Sequence, residues 1–137
     1  MRPLSMVQRR VLSTLEEAGE ENLCALLNGV ANPSGEARDV EVMRAALDDL
    51  LSRGVIELAV DLDPASRRWI PLRRAHAFEA VDTIGDRIEW SRPEELWLPR
   101  AGLPPLQVLL NRAGLALARE ILSIDGWPDK QLDGYEY

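Results

Sequence analysis

The sequence predicts a mostly α fold with a small β-hairpin, an α+β class, on three observations. Apolar residues recur at steps of three and four through residues 5–18 and 39–51, the spacing of one helix face. They switch to alternation at Ile56, Leu58, Val60 and Leu62, the period of a strand. The turn-forming "DPAS" then leads into a second short run, "RRWIPL".

The first helix is expected in "SMVQRRVLSTLEEAGE", where Val7, Val11, Leu15 and Ala18 share a face. Ser5 can cap its start and Gly19 can stop it. A short second helix follows in "ENLCALLNGVAN", with Asn22 as a cap and Leu23, Leu26, Leu27 and Val30 inward. "NPSGEA" breaks the helical pattern and reads as a loop. The third helix is capped by Asp39 and ends before Gly54, with Val40, Met43, Leu47, Leu50 and Leu51 on one side. Pro71 lacks a backbone donor, which places the second hairpin strand at a sheet edge.

Beyond the hairpin, Ala75 to Val81 has a helical look and Arg87 to Trp90 a strand look. "SRPEELWLPRAGLPP" reads as irregular connection, with one helical turn at Pro93 to Trp97. One long helix is expected over about 104–123, opened by prolines and closed before "DGWPD". Leu106, Leu109, Leu110, Ala113, Leu117, Ile121 and Ile124 would form its main apolar face. Val108, Leu115 and Leu122 would form a second stripe on the opposite side. A helix apolar on two sides wants cover on both, so these three residues are the expected homodimer interface.

Three helices followed by a hairpin, with "ALDDLLSRGVIEL" and then Arg67 and Arg68 near the hairpin tip, resemble the winged helix-turn-helix superfamily over residues 5 to about 72. The resemblance implies a winged-helix domain over 1–74 and a C-terminal extension over 75–137. It also implies a small regulator of bacterial or phage type that binds DNA as a dimer. In such a fold the outer face of the third helix meets the major groove. Nucleic-acid contacts would then fall to Arg38 and Arg44 on that helix and to Arg67, Arg68, Arg73 and Arg74 around the hairpin.

The charge pattern opens a rival reading. The formal net charge is −7, and the outer face of the third helix carries Glu41, Val42, Ala45, Asp48, Asp49 and Ser52. Glu41, Asp48 and Asp49 would repel phosphates and suit a basic protein surface instead. Under that reading the chain is an acidic winged-helix interaction module: an adaptor, an inhibitor or a nucleic-acid mimic.

Catalysis and cofactors find little in the sequence. His76 is the only histidine and Cys24 the only cysteine, so no His- or Cys-rich metal cluster can form. Cys24 sits beside Leu23 and Leu27, where an inert core thiol is expected rather than a nucleophile. No phosphate-cradling glycine loop occurs. The expectation is a non-enzyme with no cofactor and no metal. A single cysteine and an N-terminal stretch without a signal-peptide core give a cytoplasmic address as the default, and no apolar run suits a membrane span. Four tryptophans against one phenylalanine, three of them after residue 75, are expected either to clamp the connection onto the core or to form a partner site.

Overall fold

The computed structural model describes residues 3–30, 33–63, 65 and 68–125, with the side chains of Asp61, Arg68 and Asp125 excepted. The element order is α1 (Met6–Ala18), β1 (Glu20–Asn22), α2 (Leu23–Val30), α3 (Ala37–Ser52), β2 (Ile56–Asp63), β3 (Arg68–Pro71) and α4 (Arg74–Asp82). A 3₁₀ turn at Ile84–Asp86 leads to β4 (Ile88–Ser91), β5 (Leu96–Pro99), β6 (Leu106–Leu110) and α5 (Arg112–Asp125). The class is α+β: these helices pack with a four-stranded sheet of order β1-β6-β2-β3 and a separate β4–β5 hairpin.

The first half follows its local signals. Ser5 accepts from Gln8 N while Gln8 Oε1 accepts from Ser5 N, a reciprocal cap on α1. Gly19 closes α1 through a bond to Leu15 O. Asn22 Oδ1 accepts from Ala25 N at the start of α2. Gly54 turns the chain out of α3 at φ +72°, a conformation that suits glycine. Val7, Val11, Leu15, Leu26, Val30, Met43, Leu47 and Leu50 are at most 2% exposed and fill the space between the first three helices.

Asp39 does not stand at the expected cap position. Glu36 occupies it and makes no side-chain cap bond. Asp39 lies inside the first turn, 3% exposed, and reaches back to accept from Ser34 N, Ser34 Oγ and Gly35 N. A carboxylate there also complements the positive end of the helix dipole.

The second half departs further from expectation. Residues 106–110 form a strand, not the opening of a long helix, and helix resumes only at Arg112. β6 lies between β1 and β2, antiparallel to both, with Val108 opposite Glu21 on one side and Leu58 on the other. Leu106, Gln107 and Val108 are all buried. Val108 is therefore a core residue at 0% exposure and not a dimer contact.

On α5, Ala118 is buried and Leu117 and Ile121 pack against the core, while Leu115 and Leu122 are half-buried. With Val108 on a strand, the three expected contacts do not share one helix stripe. The expected division at residue 74 falls between strands of one sheet, since β6 bonds to both β1 and β2.

"SRPEELWLP" makes the turn of a hairpin and its second strand, Leu96–Pro99, where irregular chain or a helical turn was expected. Trp90 pairs with Trp97 across β4–β5, and their rings meet edge to face at 5.4 Å. Asn28 on α2 supplies a second edge: its Nδ2 donates to Trp97 O at 2.8 Å and its Oδ1 accepts from Trp97 N at 2.9 Å. Gly35, at φ +80°, lets Trp90 lie flat on the α2–α3 loop, where any Cβ would strike the indole. The tryptophans Trp90 and Trp97 are therefore clamps. Trp127 and the expected stop at Gly126 and Pro128 lie outside the described residues.

Candidate interaction surface

The outer face of α3 was the site expected from sequence, and three of its residues line an open cleft. Val42, Ala45 and Asp49 from α3 meet Leu4, Ser5 and Gln8 from the start of α1 around an open cleft of about 530 Å³. Ala45 and Ala46 leave room because they carry only a methyl group each. Arg53 closes one end.

Asp49 does not point outward with the other acids. Its Oδ2 accepts from Gln8 Nε2 at 2.7 Å and from Arg53 Nε at 2.7 Å. Its side chain is only 17% exposed. Gln8 is itself buried and also donates to Ala46 O. The carboxylate is thus a tie between α1 and α3, already neutralised by Arg53. This corrects its expected place on a free acidic face. Asp48 is half-buried and Glu41 is exposed.

Arg44 is a base on the flank of α3's outer side, toward α4, and acids hold it. Its Nη2 donates to Glu41 Oε2 at 2.9 Å, and Asp82 on α4 stands 3.9 Å from its Nη1. The hydrogen bond from Arg44, and then its charge, hold the Glu41 carboxyl below the usual glutamate range. Glu41, Asp82 and Asp48 in turn raise the Arg44 guanidinium.

The other arginines expected at nucleic acid divide. Arg74 donates to Leu51 O and Ser52 O, the last carbonyls of α3, and lies 5.0 Å from the centre of the Phe78 ring. It therefore closes the C-terminus of α3, as a cation there should. Arg38 and Arg73 are exposed near the starts of α3 and α4. Arg67 lies outside the described residues, as does the side chain of Arg68. Among the described side chains, Arg44 and Arg74 serve separate intramolecular contacts.

Cys24 is buried on α2, and burial pushes its thiol up to about 11. His76 is exposed on α4. Among the described residues no group of three or more His, Cys, Asp or Glu side chains could hold a metal ion. No helix among them is long and apolar enough to cross a membrane.

The α1–α3 cleft was not foreseen from the sequence. Its one local signal is the pair of alanines, Ala45 and Ala46, in a helix otherwise built from large side chains on its inner face. Comparison of the chain with protein-family models, curated proteins and solved structures returned no match.

Proposed function

We propose that the chain is an acidic protein-interaction module of winged-helix type, which uses the α1–α3 cleft and the adjoining face of α3 to dock a basic partner surface. One observation carries this reading: Arg44, the base on the flank of α3's outer side, is held by Glu41 and flanked by Asp82. A helix entering a major groove needs bases free for phosphate or guanine. Here three acids, exposed Glu41 and Asp82 and half-buried Asp48, surround the one base, and the surplus negative charge suits lysine and arginine on a partner.

The rival is a dimeric DNA-binding regulator. It is favoured by the arginines at 67, 68 and 73, which do not belong to α3's acidic face. Fluorescence anisotropy with random duplex at low salt separates the two. The interaction module gives no salt-sensitive binding, whereas a regulator gives binding that weakens steeply with salt. A pull-down from the native host with wild type and Ala45→Trp then tests the cleft. A partner that the filled-cleft variant retains would count against docking there.

A further inference from the structure

We propose, building on the docking reading above, that the α1–α3 cleft takes a single amphipathic helix of the partner. Its aliphatic side chains enter the cleft, and its lysines or arginines run along one side.

The wall that α3 presents has the pattern of a helix crossing. Val42, Ala45, Ala46 and Asp49 recur at steps of three and four, and Arg53 follows at the cap. They border the cleft for about 16 Å, or three helical turns. At the middle of this stripe Ala45 is exposed and Ala46 is buried, so the wall there is only a methyl deep. Two helix axes pack about 8–10 Å apart, and small side chains at the crossing permit the near end of that range. Leu4 and Val42, half-buried and packed on the core, give aliphatic contact beside the alanines.

An extended segment fits the cleft poorly. None of its lining residues belongs to a strand. The α3 backbone is bonded along its own axis, so it cannot pair the N–H and C=O groups of a strand laid beside it. A helix arrives with those groups already satisfied and needs only side-chain contact.

Charge sets the flank of the occupant. Glu41 and Asp48, seven residues apart, adjoin the stripe on the outer side of α3. With Asp82 they outnumber Arg44 beside them. At the far end Asp49 and Arg53 are bonded to each other and add no net charge. Arg38 is exposed one turn before Val42. A docked helix therefore places cations two turns apart, opposite Glu41 and Asp48, and none at the end beside Arg38.

The test selects a phage-displayed library of random 16-residue peptides on the full chain, after depletion on Ala45→Trp. The added indole fills the cleft, and circular dichroism checks that this variant folds. Enriched peptides should carry aliphatic residues at steps of three, four and seven, with lysine or arginine in surplus. The best of them, labelled with fluorescein, should bind below about 100 µM and gain helical circular dichroism when bound. The double variant Glu41→Gln, Asp48→Asn should bind it about tenfold more weakly. Basic peptides that alternate in pattern, or that bind without gaining helix, overturn the proposal and leave a basic partner at the cleft. Acidic peptides, or no enrichment after depletion, overturn both the helix and the docking reading it rests on. Undiminished binding by the double variant overturns the charged flank and with it the proposal.

Discussion

The indole N–H of Trp97 donates to Asp39 across 2.9 Å, tying a strand of the β4–β5 hairpin to the first turn of α3. Residues 58 positions apart in the chain thereby share one buried carboxylate, which also holds the Ser34–Gly35 turn. A buried acid stays favourable only while its oxygens are satisfied.

Trp97→Phe keeps much of the ring's area but removes its donor. The expected loss of stability is about 2 kcal/mol, the cost of an unmade hydrogen bond to a buried charged group. Urea unfolding should show a lower midpoint at unchanged slope. A cost near zero would mean that the bond contributes nothing to folding.

Two glycines on helices should respond with opposite sign. A Cβ at Gly114 would overlap the Val55 carbonyl, so Gly114→Ala should cost about 2 kcal/mol as α5 shifts off the β2 turn. Gly29 on α2 has nothing within 4 Å of a built Cβ and no positive φ. Gly29→Ala should raise stability by about 0.5 kcal/mol through helix propensity. Thermal melts of both variants beside wild type check the pair.

Burial raises the Cys24 thiol from 9.0 to about 11, which fixes the sign of a pH effect. A raised folded-state pKa contributes stability that is fully present below the unfolded value. That contribution is lost as pH climbs from 9 toward 11, because the unfolded thiol ionises first. Wild type should therefore lose more urea resistance across that window than Cys24→Ala does. Near neutral pH the native thiol should label slowly with a disulfide reagent, and quickly once urea unfolds the chain.

Glu41 should titrate below the ordinary glutamate range, because Arg44 bonds to its charged form. A depressed carboxylate pKa favours folding at higher pH, and that favour fades as pH falls through the folded value. Carboxyl-carbon NMR should record the low midpoint and its return upward in Arg44→Gln. The same pair bears on DNA: Glu41→Gln with Asp82→Asn releases Arg44. Random duplex should then bind more tightly at low salt than it does to wild type.

The first half of the fold was legible because its signals are local. Ser5, Gly19, Asn22 and Gly54 each act within a few residues of themselves, and the inner face of α3 is a plain helical stripe. The misreading of residues 106–110 has a physical source. A strand covered on both faces shows no alternation, so "LQVLL" looks like more of the helix after it. The break was written in Asn111, whose Oδ1 accepts from Gly114 N while its Nδ2 donates to Gly54 O. In the candidate site, the helix projection puts Glu41 on the outer side of α3, where it is exposed. It puts Asp49 there as well, wrongly, because Gln8, its partner, comes from α1 and no helix projection of α3 alone contains it.

The position of β6 has a consequence for how the chain is made. A ribosome releases β1, β2 and β3 well before β6, so during synthesis β1 and β2 wait with vacant edges until Leu106 to Leu110 emerge. Closing the sheet therefore waits on a pairing distant in sequence, the kind that forms slowly. During that wait β2 carries Ile56, Leu58 and Val60 beside an unfilled slot, the stretch a chaperone would find first.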